Sequence, residues 1–169
     1  MTEPLAEYAL RRLSGGDVQR LKALLRVFGE AFADLPTYQD AIPGDAYLAD
    51  LLSGPQFIAV AALAGEEVVG GLAAYEFLKF ERERKEIYIY DLAVAAGHRR
   101  RGVAKGLIGE LKRIASERGA YVIFVQADPP DAPAVALYES LGTRETVYHF
   151  DITVPEAGPA RPLSKDPAK

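Results

Sequence analysis

The stretch Glu86-Ile-Tyr-Ile-Tyr-Asp-Leu-Ala-Val94, continued by Ala95-Ala-Gly-His-Arg-Arg-Arg-Gly-Val-Ala104, decides the fold because it combines a strand, a turn and the start of a helix. Its first part alternates with period two and carries β-branched and aromatic residues, which predicts a strand. After the turn, apolar residues recur at three- and four-residue spacing, which predicts a helix. These residues are Val103, Leu107, Ile108, Leu111, Ile114 and Ala115.

Three consecutive arginines, Arg99 to Arg101, precede that helix. The N-terminal end of a helix carries a partial positive charge, so cations there are unfavourable unless an anion compensates them. The unpaired N–H groups of the first helical turn supply such an anion site. Gly102 and Ala104 keep side chains away, so that phosphate oxygens can approach the backbone. We interpret the segment as a phosphate-binding loop; the alternative is a solvated run of surface arginines.

The loop resembles the acyl-CoA signature of the GNAT N-acyltransferase superfamily, Val-x-Pro-x-x-Arg-Gly-x-Gly-Ile/Val-Gly/Ala at the end of the fourth strand. Here the signature reads Val94-Ala-Ala-Gly-His-Arg99-Arg-Arg-Gly102-Val-Ala104. Ala96 stands where proline is usual in the family, and Arg100 where the first glycine is usual. The resemblance implies binding of acetyl-CoA by Leu92, Ala93, Val94, Arg99, Arg100, Arg101, Gly102, Val103 and Ala104.

A second family element, Asn-x-x-Ala-x-x-Leu-Tyr-x-x-x-Gly-Phe, is similar to the segment from Asp131 to Thr143, in which Asp131 replaces Asn and Thr143 replaces Phe. The resemblance implies that Asp131 and Ala134 contact the pantetheine arm of CoA. It also implies that Tyr138 gives its phenolic proton to the departing sulfur, as a general acid. The alternative for Tyr138 is packing at the edge of the last helix.

Longer phrases, spread over residues 5 to 154, are similar to the aminoglycoside 3-N-acetyltransferases of the gentamicin-resistance type. This resemblance implies an α+β GNAT fold, with a mixed, mostly antiparallel sheet flanked by helices in a single domain, and a homodimer. The phrases are Phe28-Gly29, Phe57-Ile58-Ala59, Gly71-Leu-Ala-Ala-Tyr75, Lys79-Phe80-Glu81, Glu86 to Val94, Gly119-Ala-Tyr-Val-Ile123, Val125-Gln-Ala-Asp128 and His149-Phe-Asp-Ile152.

The implied reaction moves the acetyl group of acetyl-CoA to the 3-amino group of a 2-deoxystreptamine aminoglycoside and gives antibiotic resistance. Direct attack in a ternary complex is the simplest mechanism, because amide formation needs a neutral amine, a held carbonyl and a proton for the thiolate, but no covalent enzyme intermediate. A backbone N–H near Val94 is expected to meet the thioester oxygen if the strand is bulged there. Asp91 is the first candidate for the base, with an ion pair to a nearby arginine as its structural alternative.

Aminoglycosides are polycations, so several carboxylates are expected to bind them. Besides Asp91, the candidates are Asp34, Asp128 and Asp151; a solvated or capping role is the alternative for each. Tyr88 and Tyr90 share one face of their strand, and Asp91 points to the other unless a bulge intervenes. Core or dimer packing explains the two tyrosines.

The composition excludes several functional classes. Hydrophobic residues make up 49% of the 169 residues, and the net charge of −4 argues against duplex nucleic acid and suits a cationic ligand. The absence of cysteine excludes disulfides and thiol nucleophiles, and two distant histidines leave no recognisable metal site. No apolar run is long enough for a membrane span, and no signal-peptide pattern opens the chain. We therefore expect a cytoplasmic protein with no membrane partner.

Periodicity and turn residues predict the order of the elements. The domain is expected to cover residues 1–154, and residues 155–169, with four prolines, to form a flexible tail. The predicted elements are strand 5–13, a helix from the Ser14–Asp17 cap through Ala33, loop 34–44, helix 45–54, strands 56–63, 67–78 and 86–94, a helix to Gly119, strand 121–127, helix 131–141 and strand 144–153.

Two further functions remain open at this stage. One is acetylation of another amine, of a polyamine such as spermidine or of a protein. The other, of a different class, is a non-catalytic acyl-CoA-binding module. Asp91 and Tyr138 together favour an enzyme, because a binding module needs neither a base nor an acid.

Overall fold

The computed structural model describes residues 7–154, and the chain divides after Ala127 into two compact units. The described residues of the second unit, 128–154, include one helix, α5 (Ala132–Glu139). The elements of the first unit are β1 (Ala9–Arg12), α1 (Val18–Ala31), α2 (Leu35–Gln39), α3 (Asp45–Ser53), β2 (Phe57–Ala64), β3 (Glu67–Leu78), β4 (Lys85–Val94), α4 (Val103–Arg118) and β5 (Ala120–Val125).

The five strands form one sheet in the order β1-β2-β3-β4-β5. The first four strands are antiparallel to their neighbours, whereas β5 runs parallel to β4. Parallel neighbours need a crossover connection, and α4 provides it between β4 and β5. The prediction of an α+β fold with a mixed, mostly antiparallel sheet flanked by helices is confirmed.

Helices α1 and α3 cover one face of the sheet. Leu24 and Phe28 of α1 are almost fully buried, together with small strand residues such as Ala61. A Cβ atom at Gly71 of β3 would lie 2.6 Å from Cδ1 of Leu24. Glycine at this position therefore lets α1 approach the sheet closely.

Helix α4 covers the opposite face. Side chains alternate along a strand, so Ile87 and Ile89 of β4 point away from the α1 face, and both are buried. At the end of α4, the Arg118 guanidinium donates to Oε2 of the buried Glu76 at 3.0 Å. Burial opposes ionisation of Glu76, but its hydrogen bonds to Lys85 and Arg118 outweigh burial and lower its pKa. This ion cluster ties the helix end to β3 and β4.

The segment predicted as loop 34–44 contains the short helix α2 instead. Asp34 caps this helix, since its Oδ1 accepts a hydrogen bond from the Thr37 N–H at 3.3 Å. Pro36 lies in the first turn, where an N–H has no partner within the helix and its loss costs little. The loop prediction was wrong because proline was read as a helix breaker at a position where it is tolerated.

The strand predicted at 144–153 is also wrong: the structure assigns no strand to these described residues. Their apolar side chains are exposed, and an extended segment is stable as a strand only when a neighbour pairs with its backbone groups. The exposed side chains are Val147, Tyr148, Phe150, Ile152 and Val154. Residues 155–169, predicted as a flexible tail, lie outside the described residues.

Candidate active site

Strand β4 contains a bulge at Tyr90. Across β3, Ala74 pairs with Ile89 and Ala73 pairs with Asp91, so no residue of β3 lies opposite Tyr90. One extra residue in a strand shifts the pairing register and reverses the alternation of side chains beyond it. The side chains that follow the bulge therefore change faces.

The bulge places Asp91 on the face of the sheet that α1 covers. Without the bulge, Asp91 would share the α4 face with Ile87 and Ile89. With it, Asp91 shares the face of Tyr88, whose partner across β3 is Tyr75. Asp91 was expected to point away from the face of Tyr88 unless a bulge intervened, and the bulge at Tyr90 does intervene. It lies at Tyr90 and not near Val94, where a bulge was the condition for a backbone N–H to meet the thioester oxygen.

Hydroxyl groups and aromatic rings surround this part of β4. The Tyr38 hydroxyl donates a hydrogen bond to Oδ1 of Asp91 at 3.0 Å. Tyr90 contacts Tyr75 and Tyr88 edge-on, at centroid distances of 6.0 and 5.9 Å. Burial raises the pKa of Tyr75 and of Tyr88, and the negative charge of Asp91 adds to both shifts. These phenols therefore stay neutral at physiological pH beside the carboxylate.

The two parallel strands separate just before the bulge. Strand β5 pairs with β4 only from Lys85 to Ile89, although β4 continues to Val94. Among the described residues, the edge of β4 from Tyr90 to Val94 thus has no strand ladder on the β5 side. Backbone N–H and C=O groups on such an edge can bind an extended ligand or the oxygen of a carbonyl.

The loop after β4 is held by contacts at both ends. The Ala95 N–H donates to the Val69 carbonyl at 2.8 Å, and Nε of Arg99 donates to the Val94 carbonyl at 2.9 Å. In the middle, the Tyr8 hydroxyl and Nδ1 of His98 form a hydrogen bond of 2.9 Å. Arg99, predicted to bind the anion, therefore also closes its own turn.

Two residues of the loop have left-handed backbone conformations, Arg100 with φ +62° and Gly102 with φ +81°. A side chain in this region costs roughly 1–2 kcal/mol, a penalty that glycine does not have. Arg100 stands where the family signature usually has its first glycine, and it adopts a conformation that glycine reaches without this penalty. Both Arg100 and Arg101 are exposed, and Nη1 of Arg101 lies 3.7 Å from Oε2 of Glu7.

Helix α4 begins at Val103 with Gly102 as its N-cap. Among the described residues, no side chain caps the first N–H groups of this helix. These donors, with Arg100 and Arg101 in the turn that precedes them, fit a diphosphate group. The structure thus brings the residues of the predicted phosphate-binding loop together, and binding of acetyl-CoA there stays a prediction.

Tyr138 lies on α5, in the second unit. Oδ1 of Asp131 accepts a hydrogen bond from the Ala134 N–H at 3.2 Å and so caps this helix. Burial raises the pKa of Tyr138, and the charge of Asp131 adds to the shift. A raised pKa keeps the phenol protonated, as a proton donor requires.

Two of the other three predicted substrate carboxylates, Asp34 and Asp151, have local partners. Asp34 caps α2, and Oδ1 of Asp151 lies 3.1 Å from Nε2 of His149. The Asp128 carbonyl accepts from the Asp131 N–H at 2.9 Å, and the Asp128 side chain is exposed. Contacts of Asp34, Asp128 and Asp151 with a substrate stay predictions.

Sequence reasoning missed Tyr38 as a neighbour of Asp91. The signal was present, because an Asp followed by Leu-Pro-Thr is an N-cap with proline in the first turn, and the resulting helix carries Tyr38. Tyr75 belongs to a segment that resembles the family, and nothing in that segment singles it out. Its place beside Tyr90 depends on strand pairing, which no local pattern reveals.

In the described part of the chain, no group of three or more His, Cys, Asp or Glu residues is placed to hold a metal ion. Within residues 7–154, no helix has the length and apolar character that crossing a membrane requires.

Comparison with known proteins identifies the family. Residues 21–143 match the model of the acetyltransferase (GNAT) family. The structure of an aminoglycoside acetyltransferase from an uncultured soil metagenomic sample is 57% identical, with a TM-score of 0.86, and the match covers 87% of this chain and 98% of that one. A second such enzyme from a soil metagenomic sample, in complex with sisomicin, is 32% identical, with a TM-score of 0.81 and coverage of 90% and 99%.

Among curated proteins, N-acetyltransferase 8B of Rattus norvegicus is 30% identical over 89 residues, which are 53% of this chain and 40% of the relative. The chain thus spans about two fifths of the length of that relative. The predicted GNAT fold and acetyl transfer agree with these matches. The chain belongs to the GNAT acetyltransferase family.

Proposed function

We propose that this chain is an aminoglycoside 3-N-acetyltransferase, which transfers the acetyl group of acetyl-CoA to the 3-amino group of the 2-deoxystreptamine ring and so gives antibiotic resistance. The observation that carries the proposal is the bulge of β4, which places the Asp91 carboxylate beside the strand edge from Tyr90 to Val94. A carboxylate at this point can attract a cationic amine and then accept its proton.

The CoA diphosphate is assigned to the loop before α4. Its negative charge is matched by the exposed guanidinium groups of Arg100 and Arg101 and by the uncapped N–H groups of the helix. The pantetheine arm follows the open edge of β4 at Leu92–Val94, where a backbone N–H can polarise the thioester carbonyl. Preorganised donors of this kind contribute about 3–4 kcal/mol to catalysis of acyl transfer.

The chemistry is a direct transfer. Asp91 accepts a proton from the substrate ammonium, and the neutral amine nitrogen attacks the thioester carbon to give a tetrahedral oxyanion. The family resemblance assigns the proton donor to Tyr138, so the departing thiolate takes the proton of this phenol when the carbon–sulfur bond breaks. The attacking nitrogen loses its second proton to solvent, and the products are the amide and free CoA. Solvent then takes the proton from Asp91 and returns one to Tyr138.

The substrate class is supported from two directions. Two solved structures to which the chain is similar over most of its length are named as aminoglycoside acetyltransferases, one of them with sisomicin bound. The net charge of −4 and the carboxylate site suit a polycation. Transfer to the 3-amino position rests on the resemblance of the sequence phrases to gentamicin-type enzymes. A homodimer is proposed on the same resemblance.

A substrate panel tests the function directly. We expect thiol release when acetyl-CoA is mixed with gentamicin or sisomicin, and two-dimensional NMR of the product should place the acetyl group on the 3-amino nitrogen. Acetylation at another amine would overturn the position but keep the substrate class. Turnover with spermidine or a peptide amine, and none with the drugs, would overturn the substrate class as well.

The loop assignment predicts a specific effect of Gly102→Glu. The new carboxylate adds bulk and negative charge beside the proposed diphosphate. We expect this repulsion to cost more than about 1.4 kcal/mol of binding free energy, so the KM for acetyl-CoA should rise at least about tenfold. The measurement is initial-rate kinetics with varied acetyl-CoA.

Gly119→Glu is the matched control for this variant, because Gly119 ends the same helix in a left-handed conformation with φ +72° and open space around its Cβ position. It introduces similar backbone strain and the same charge at the far end of α4. An equal rise in KM for both variants would assign the effect of Gly102→Glu to strain and remove the loop from the CoA site.

Asp91→Asn keeps the shape of the side chain and removes its charge. If Asp91 is the base, kcat should fall by about 10²–10⁴ and should recover partly as the pH rises, because more of the substrate amine is then neutral. The measurement is the pH profile of kcat for wild type and variant. A rise in the drug's KM with an unchanged kcat would make Asp91 an anchor, and wild-type values of both would remove it from the site.

Tyr138→Phe should lower kcat by about 10²–10⁴ while the KM for acetyl-CoA stays close to the wild-type value, because the ring remains and only the proton donor is lost. Since its pKa is raised above the usual value near 10, the phenol keeps its proton through the neutral range, and wild-type activity should decline only in strongly alkaline solution. Tyr148→Phe, at a tyrosine that is 92% exposed, is the matched control. Wild-type kcat in Tyr138→Phe would assign Tyr138 to packing.

A further inference from the structure

We propose that Tyr38 is a positioning residue that orients Asp91 toward the acceptor amine; the inference deepens the proposed function and rests on the role of Asp91 in it. The carboxylate torsion of an aspartate is broad, so its orientation depends on the groups that bind its oxygens. The hydroxyl of Tyr38 donates to Oδ1 of Asp91 at 3.0 Å. Charged hydrogen bonds of this type are about twice as strong as neutral ones, so this bond restricts the carboxylate.

Aromatic contacts hold the ring of Tyr38. Its centroid lies 5.9 Å from that of Phe28, nearly edge-on at 67°, and 5.7 Å from that of Phe32. Phe28 is 1% exposed and belongs to the core beneath α1. The phenol is therefore held from the core side, and its hydroxyl reaches across to β4.

The backbone of α2 is held as closely as the ring. A Cβ atom at Gly29 would lie 3.2 Å from Cβ of Tyr38, so α2 packs tightly against α1 where Gly29 has no side chain. Ala33 makes the turn between the helices with a left-handed φ of +52°, and the Asp34 N–H donates to the Gly29 carbonyl at 3.0 Å. Tyr38 thus occupies a defined position before it meets Asp91.

These contacts separate packing from positioning. The ring contacts and the tight helix pair do not involve the hydroxyl, so they remain in Tyr38→Phe. The hydrogen bond to Asp91 is lost with the hydroxyl. A loss of activity in this variant therefore reports on the orientation of the carboxylate, provided that the fold is intact.

The first test measures Tyr38→Phe kinetics with an aminoglycoside that wild type acetylates or, if the panel finds a different amine substrate, with that amine. We expect kcat to fall about tenfold, because small errors in the position of a catalytic group cost one to two orders of magnitude. The KM for acetyl-CoA and the melting temperature should stay at their wild-type values.

Tyr121→Phe is the matched control. The phenolic hydroxyl of Tyr121, an exposed residue of β5, also donates a hydrogen bond to a carboxylate. Its acceptor is Glu86 at the beginning of β4. Removal of that hydroxyl should leave kcat and both KM values unchanged. A fall of kcat in Tyr38→Phe no larger than in Tyr121→Phe overturns the inference.

A double-mutant cycle decides whether Tyr38 acts through Asp91. If it does, adding Tyr38→Phe to Asp91→Asn should cause no further loss of kcat, because no base remains to be oriented. The residual activity of Asp91→Asn can be measured at raised enzyme concentration, since removal of a base leaves about 10⁻² to 10⁻⁴ of the rate. The same tenfold loss in both backgrounds would show an effect independent of Asp91 and overturn the inference.

The outcomes also separate this inference from the proposed function. Wild-type kinetics in Asp91→Asn would overturn the role of Asp91, and the inference with it. A large loss in Asp91→Asn with wild-type kinetics in Tyr38→Phe would overturn the inference alone. If Asp91→Asn falls below detection, the comparison of Tyr38→Phe with Tyr121→Phe decides. A lowered melting temperature together with raised KM values in Tyr38→Phe would make Tyr38 structural.

Discussion

The candidate site depends on one register shift in the sheet, the bulge of β4 at Tyr90. Before it, Ile87 and Ile89 point into the core beneath α4; after it, Asp91 lies on the face that α1 covers. A strand without the extra residue would bury Asp91 among apolar side chains, where a carboxylate without partners costs several kcal/mol. The bulge thus turns a destabilising residue into an accessible one.

The same region of β4, from Tyr90 to Val94, is not paired with β5. Pairing between the two strands ends at Ile89, one residue before the bulge, whereas pairing with β3 continues to Val94. The strand end is therefore held from one side and has no ladder on the other side within the described residues. An edge held in this way presents backbone donors from a rigid support, which is what electrostatic stabilisation of a carbonyl requires.

Small residues and tight turns set the distances around the site. Gly71 lets α1 lie close to the sheet, and Gly29 lets α2 lie close to α1. These two close approaches bring the hydroxyl of Tyr38 to Asp91. On the other side of β4, left-handed backbone at Arg100 and Gly102 turns the chain into α4 and leaves its first N–H groups without a side-chain cap.

The sequence by itself determined the order of most elements and the loop before α4, because periodicity, glycines and N-caps act through residues close together in the chain. The mixed sheet was expected from the family resemblance alone. Asp91 was identified by resemblance, and the direction of its side chain was predicted only on the condition that no bulge intervenes. The bulge, the parting of β4 from β5 and the contact of Tyr38 with Asp91 were decided by the tertiary structure. Each depends on how segments that are distant in the chain pair or contact one another. The predicted strand 144–153 was wrong for the same reason, since strand propensity does not supply a neighbouring strand.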